Sequence, residues 1–418
     1  MLAGQRSLLR ASLLLRPHTP PMLLIALLVS AQLAAAAVGS GKTALAVVPR
    51  GSTSHVEDAA LFRLYYGQSF KVIKNSVDGR SYLLLQNNTT MASRTKYCSG
   101  RIKSFIIPLF NYSVDTTFFP VSFFELLGLV DSLKGITSES ITSQCVLKSY
   151  ANGNIQLINK TDPRQLTPFS AHFTSADNEQ ACNFAAFVPL EERTPLQRAE
   201  WIKYLAAFTN LEARANSVYD AIKGNYICLS KAASNLTTHF KPIVAWVEYS
   251  QYIWTFSAED YKLGYVTDAG GENVEGTSSN QRYNVSSSDD MENFYALLCT
   301  VDVVIDQTHA PEPAEYTLST FLENINADED ANFDFLRNKC LWRFDKRVRD
   351  SSALDWHDGA ISQPQLVLAD LIEILFPTGN YDPTYFRNIA KNEAVVSVGP
   401  EACSRSTSAP LDPIIIQC

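Results

Sequence analysis

From residue 104 onward the chain alternates short apolar, β-rich runs with longer stretches whose apolar positions recur every three or four residues. Residues 104–110 (SFIIPLF) have the first character, and residues 121–133 (VSFFELLGLVDSL) follow as an apolar helix with Pro120 suited to its first turn. Residues 182–190 (CNFAAFVPL) form a second buried strand-like run. Such alternation argues for βα units with parallel pairing instead of a sandwich. The most decisive local signal is Thr194-Pro195-Leu196-Gln197, a capping box with proline at the first helical position. Behind it Trp201, Ile202, Leu205, Phe208, Leu211, Ala215, Val218, Tyr219 and Ile222 keep helical spacing up to Gly224-Asn225. The pattern predicts one rod of about 29 residues, roughly 43 Å at 1.5 Å per residue, long enough to join two lobes. Beyond it the alternation restarts, with strands expected at 242–247, 263–266, 301–305 and 340–344 and helices at 291–298, 316–324 and 365–376. The expected fold class is α/β: two Rossmann-like α/β lobes joined by one long inter-lobe helix, with a ligand cleft between them. The boundaries expected are 58–193 for the first lobe, 194–234 for the helix, 240–400 for the second lobe and 401–418 for a tail.

The N-terminus has a different composition. Arg6, Arg10 and Arg16 precede an apolar run over residues 22–38 that ends in four alanines, so residues 1–37 read as a signal peptide, or as an uncleaved anchor. Residues 38–57 read as a flexible lead-in. The whole chain carries 35 basic and 43 acidic residues. Removing residues 1–37 leaves 32 basic against 43 acidic groups, a net charge of −11, and the absence of Lys/Arg runs then disfavours nucleic-acid binding. Sequons at Asn87, Asn88, Asn111, Asn159, Asn235 and Asn284 favour a secretory route and glycosylation, with the protein secreted or on the outer face of the plasma membrane. The eight cysteines suit disulfides in an oxidising compartment, but their spacing leaves the connectivity open.

Several short motifs imitate chemistry without completing it. Gly39-Ser40-Gly41-Lys42-Thr43 resembles the end of a phosphate-binding loop, yet Ala36 stands where its first glycine is needed. Asp328-Glu329-Asp330-Ala331-Asn332 starts like a calcium loop, but Phe333 and Lys339 occupy the positions that need glycine and glutamate. No nucleophile elbow, H-E-x-x-H or C-x-x-C pair occurs. A Ser/His/Asp triad assembled from distant residues stays open. What remains are loops that follow strand-like runs, where open parallel sheets hold their ligands. The first half offers Asp115, Thr116, Thr117, Phe118, Glu191 and Arg193; the second offers Tyr249, Trp254, Asp306, His309, Lys346, Arg347 and Trp356. Capping and core roles compete with ligand binding at each of these positions. Asp306 and His309 together make at most half a metal site.

Five segments also carry a family resemblance. KPIVAW (241–246), DAGGENV (268–274), VDVVID (301–306), NKCLWRFD (338–345) and QPQLVLADLIEILFP (363–377) resemble, in that order, the C-terminal lobe of helix-linked periplasmic substrate-binding proteins. The match covers about 160 residues closely, and the capped rod corresponds to that family's inter-lobe helix. The resemblance implies a non-catalytic receptor holding a siderophore-iron chelate, haem, cobalamin or a bare metal between two lobes, without a cofactor of its own. The sequons and cysteines depart from the bacterial pattern, and clustered His/Glu/Asp ligands for a bare metal are missing. The expectation is therefore a eukaryotic secreted member, a monomer that binds a bulky chelate or another organic ligand, its membrane-protein partner unknown. Trp254, Trp356 and Arg347 are expected on one cleft wall and Thr116, Thr117 and Glu191 on the other.

Overall fold

The first four strands show the alternation of inward and outward side chains that makes a half-buried sheet. In the computed structural model, which describes residues 53–117, 120–175, 181–236, 240–275, 281–328, 331–350 and 352–418, these are β1 (Phe62–Tyr66), β2 (Phe70–Asn75), β3 (Ser81–Gln86) and β4 (Ile102–Ile107). They pair in that order, antiparallel except for β3 with β4. A wholly parallel sheet follows, made of β5 (Tyr112–Val114), β6 (Leu133–Ile136), β7 (Gln156–Leu157), β8 (Ala171–Thr174) and β9 (Phe184–Ala186) in the order β7-β6-β5-β8-β9. Every residue of β5 and β8 is buried, as a sheet covered on both faces requires. The helix after β5 is shorter than its pattern predicts. It spans Ser122–Leu127 and stops at Gly128, whose φ of 70° ends it in the left-handed region.

The capping box at Thr194 forms: its hydroxyl accepts from the Gln197 N–H while the Gln197 side chain accepts from the Thr194 N–H. The rod expected behind it is not continuous. Helices Pro195–Ala199 and Trp201–Thr209 end at Asn210, which takes φ 60°, and the inter-lobe helix proper is Glu212–Leu236, about 37 Å long. Asparagine tolerates this conformation, and its side chain is engaged there, accepting from Lys71 Nζ at 2.6 Å and from Gln86 at 3.0 Å. The long helix runs past Gly224, where the apolar spacing stops, to Leu236, close to the expected boundary at 234. Its first half buries Ala215, Val218, Tyr219 and Ile222 in the core of the first lobe. Its second half buries Tyr226, Leu229 and Ala233 in the core of the second. One helix thus contributes to two cores, which is why it joins the lobes. Residues 53–61, read from sequence as lead-in or lobe start, are fastened here. The buried Glu200 carboxylate accepts the N–H groups of Glu57, Asp58 and Ala59, and Glu192 accepts those of Ala60 and Leu61.

The second lobe is built on β10 (Ile243–Ser250), β11 (Ile253–Phe256), β12 (Glu272–Asn273), β13 (Tyr283–Asn284), β14 (Val303–Asp306), β15 (Leu341–Arg343), β16 (Arg347–Arg349), β17 (Ala353–Leu354), β18 (Arg387–Asn388) and β19 (Val396–Ser397). The main sheet runs β13-β11-β10-β14-β15-β18, with β12 also on β10. Its centre, β10-β14-β15, is parallel. Separate hydrophobic clusters cover its two faces. The protein is therefore α/β with two parallel-sheet lobes. Residues 263–266, expected as a strand, lie within the helix Asp260–Asp268. The helices expected at 291–298, 316–324 and 365–376 appear as Ser288–Leu298, Leu318–Ile325 and Pro364–Leu375.

Three disulfides form: Cys98–Cys182, Cys145–Cys403 and Cys228–Cys418. Cys299 and Cys340 are unbonded. The last two bridges tie the tail to the first lobe and to the long helix. Among the described residues no helix is long and apolar enough to cross a membrane. The apolar run at 22–38, the phosphate-loop-like stretch, Phe118 and part of the acidic turn at 328–332 lie outside the described residues.

Candidate ligand-binding site at the strand ends

The strand ends carry two hollows. The larger, of about 640 Å³, opens at the C-terminal edge of β10 and β14, and Tyr249, Gln251, His309, Glu312, Tyr316 and Asn324 line it. Its rim is set by the β10–β11 hairpin, whose two-residue loop Gln251-Tyr252 takes φ 51° and 66°. Hairpins of this kind normally place Asn-Gly there, so two side-chain-bearing residues store strain beside the groove. Its floor is ionic. Arg343 donates to Asp306 at 2.9 Å, to Asp345 at 2.6 Å and to the Thr308 carbonyl at 2.8 Å, while its guanidinium lies 3.8 Å from the Tyr316 ring centre. Arg387 also binds Asp345, at 2.6 Å. Two carboxylates balance two guanidinium groups, so this buried cluster is neutral overall and holds the loop after β14 in place. Burial, with Asp306 alongside, pushes the Tyr316 phenol well above its ordinary range and keeps it a neutral hydrogen-bonding group.

The smaller hollow, about 320 Å³, lies where the lobes meet. Ser122, Thr142 and Ser143 of the first lobe face Asp355 and Asp358 of the second. Asp358 accepts from the Ser122 N–H at 2.7 Å, the Ser143 N–H at 3.0 Å and the Ser143 hydroxyl at 2.7 Å. Thr142 donates to Asp355 at 2.7 Å, and Arg347 binds the other oxygen of Asp355 at 2.6 Å. Burial, with Asp355 nearby, raises the Asp358 carboxyl above the usual range. The protein's own side chains therefore close this part of the cleft. Away from it, Arg198 from the first lobe lies 3.5 Å from the ring centre of Tyr261 in the second, and Arg193 approaches Asp260 at 3.4 Å.

Of the residues proposed from sequence, Tyr249 and His309 meet in the larger groove and Arg347 lines the smaller hollow. The others are placed differently. Trp254 is 0% exposed, stacked on Phe294 with its indole N–H on the Asn324 carbonyl at 3.0 Å. Trp356 is 2% exposed, stacked on Phe344 and packed against Trp246. Neither indole lines a groove, because each completes an aromatic core. Asp306 is fully buried on Arg343, so it does not join His309 as a metal ligand. Lys346 donates to the Pro383 carbonyl and reaches Asp382 at 3.7 Å. Asp115 accepts from Thr137 and the Thr117 N–H; burial would raise its carboxyl, but these bonds and Lys160 outweigh that and hold it low. Thr116 donates to the Ser138 carbonyl, Thr117 receives Lys160, and Glu191 and Arg193 are exposed.

Sequence reasoning missed the junction residues Ser122, Thr142, Ser143, Asp355 and Asp358. The available signal was their position at the helix starts after β5 and β6 and in the turn directly after β17. A Ser–His pair does exist, Ser113 with His172 at 2.8 Å, but both are sealed between β5 and β8, and burial holds the imidazole down to about 4. Such a pair has no route to a substrate. Of the sequon asparagines, five are exposed, and Asn111 is half-buried with its amide on the Pro168 carbonyl.

No family model matches the chain, and no curated protein matches it. Among solved structures the chain is similar to an ABC transporter substrate-binding protein from Listeria monocytogenes EGD-e, with 18% identity over 64% of this chain and 99% of that one and a TM-score of 0.46. It is also similar to Helicobacter pylori Ceue with Ni(II) bound, with 12% identity over 66% and 86% of the two chains and a TM-score of 0.45. A periplasmic heme-binding protein from Pseudomonas aeruginosa is a third, with 14% identity over 67% and 98% and a TM-score of 0.43.

Proposed function

We propose that this chain is a secreted, glycosylated, non-catalytic solute-binding protein that holds a small organic ligand, with an iron-siderophore or similar chelate as the first class to test. The groove at the ends of β10 and β14 carries this reading. Its 640 Å³ falls within the range of small-molecule sites, it lies where open parallel sheets present ligands, and it combines aromatic walls with a few convergent polar groups. The resemblance of residues 241–377 to substrate-binding proteins supports the same class. Of the basic residues that follow β15, Lys346, Arg347 and Arg349 are paired with Asp382, Asp355 and Asp350. Recognition would rest on the groove's own Tyr249, Tyr316, Gln251, Asn324 and His309, with Glu312 and Glu315 adding negative charge.

Trp254 provides a built-in reporter, since its ring centre lies 5.2 Å behind that of Tyr249. The mature protein is titrated with ferric siderophores, haem and cobalamin while tryptophan emission is followed. Saturable quenching without turnover, weakened at least about tenfold by Tyr249→Ala or His309→Ala, is the expected result. Product formation from ester or glycoside substrates would instead make it an enzyme. A second reading, an extracellular structural protein, is favoured by the closure of the lobe junction through Asp355 and Asp358. Native mass spectrometry of protein from its own source separates the two: a retained small molecule supports the receptor, and a bare chain with no response to any ligand supports the structural reading.

A further inference from the structure

Residues 411–418 cross both lobes without forming a helix or strand, yet their main chain is read in detail. The Leu411 N–H donates to the Glu125 carbonyl at 2.8 Å, and its carbonyl accepts from Arg214 at 2.6 Å. Ile414 donates to Gln363 at 2.8 Å and accepts from Gln365 at 2.9 Å. Ile416 donates to Asn225 at 2.8 Å and accepts from the same carboxamide at 2.7 Å. Three peptide units thus have both groups satisfied, and the side chains that read Ile414 and Ile416 are buried amides. The side chains of Ile414 and Ile415 point outward, 51% and 56% exposed. This is recognition of an extended backbone, independent of what those two side chains are.

The two ends of the segment are anchored unequally. Cys145 and Cys403, at its root, are 2% and 3% exposed, whereas Cys228 and Cys418, at its tip, are both exposed. Exposed disulfides exchange with thiols far more readily than buried ones. Between root and tip the strap forms one wall of the 320 Å³ hollow, through Ser404, Arg405, Leu411 and Ile414.

We propose that the seam where the helices Glu212–Leu236 and Pro364–Leu375 pack, with Asn225 on one side and Gln363 and Gln365 on the other, is a peptide-binding groove that reads extended main chain, and that its occupant is this chain's own residues 411–418, a strap latched by Cys228–Cys418 and released when that bond is opened. Release is a two-electron reduction by a dithiol. The dithiol is oxidised to its disulfide, and the two sulfurs leave as the thiols of Cys228 and Cys418. Cys145–Cys403 stays closed and keeps the strap tethered at its root. The inference is independent of the ligand class proposed above.

Hydrogen exchange on the full chain tests it, comparing wild type with Cys228→Ser/Cys418→Ser. In the variant, the Ile414 and Ile416 amides are expected to exchange about tenfold or more faster than in wild type, yet about tenfold or more slower than in a free peptide. Asn225→Ala added to the variant should abolish that residual protection at Ile416, and excess free peptide of residues 409–418 carrying serine for Cys418 should displace the strap. Free-peptide rates in the double variant would show that the disulfide alone holds the strap and would overturn the groove. Wild-type protection in the variant, unmoved by peptide, would overturn release. If the variant fails to fold, mild dithiol treatment of wild type followed by alkylation decides: labelling of Cys228 and Cys418 before Cys145 and Cys403, with faster exchange at Ile414 and Ile416, supports the strap, and simultaneous labelling of all four refutes it.

Discussion

Asp358→Ala is the most informative single perturbation, because one carboxylate from the second lobe receives most of the polar contacts that close the junction. The substitution removes the acceptor for the Ser122 N–H, the Ser143 N–H and the Ser143 hydroxyl. Thr142 keeps its better partner, Asp355, at 2.7 Å. Hydrogen bonds to a charged group contribute about 1.5–3 kcal/mol each, so three of them total about 4.5 kcal/mol at the lower value. Against this stands the cost of holding the carboxylate away from water beside Asp355, which raises its proton affinity and is recovered in the variant. The Ser143 hydroxyl can also turn to a new partner. The net loss expected is about 2–3 kcal/mol, or a fall in melting temperature of about 3 °C for a chain of this size. Urea unfolding measures the loss, and hydrogen exchange at Ser122 and Ser143 shows whether it arises at the junction. A variant within about 0.5 kcal/mol of wild type, with those amides still protected, would refute the claim that Asp358 holds the lobes together.

Two further predictions follow from single buried positions. Burial pushes the Asp370 carboxyl up from 3.8 to about 7, against hydrogen bonds from the Thr384 and Tyr385 N–H groups at 2.7 and 2.6 Å. The folded state then binds a proton that the unfolded state releases, so stability should fall as pH rises from about 4 to about 7, by up to roughly 4 kcal/mol. Asp370→Asn should flatten that part of the curve; a wild-type stability that rises across the same window would contradict the assignment. Gly271→Ala, in the DAGGENV stretch, places a Cβ 2.9 Å from Leu375, 3.1 Å from Val266 and 3.2 Å from the Pro242 carbonyl. The carbonyl belongs to fixed backbone, so a loss of about 1–3 kcal/mol is expected in thermal unfolding, and an unchanged melting temperature would show that the helix Pro364–Leu375 gives way freely.

Signals confined to a few neighbouring residues were legible without the fold. The Thr194 capping box, the strands β10, β14 and β15 and the start of Pro364–Leu375 all depend on local hydrogen bonding and periodicity, which the sequence carries directly, whereas the strand expected at 263–266 is a helix. The three residues of the candidate site that were foreseen, Tyr249, His309 and Arg347, lie at or just beyond the C-terminal ends of β10, β14 and β15, and a strand end has one predictable edge. The break at Asn210 was hidden inside an unbroken apolar period, because the interruption is stabilised by Lys71 and Gln86, more than 120 residues earlier. The antiparallel strands β1 to β3 left no strong pattern, since buried Lys71 and Asn75 stand where apolar residues would mark the inner face.

Legible in the amino-acid order alone were the α/β class, the two-part organisation around a long helix, the acidic charge balance and which asparagines form sequons. Tertiary structure alone decided which aromatic residues became core, which carboxylates close the junction, which cysteines pair and where the tail lies. The physical reason is that these depend on contacts between residues separated by about 50 to 260 positions, as in Trp254 with Asn324, Ser143 with Asp358 and Cys145 with Cys403. Burial of Trp254 is a property of the helices packed over it, not of its loop. A periodicity reports the face a residue occupies within its own element, while its exposure and its partner are set by whichever element folds against that face.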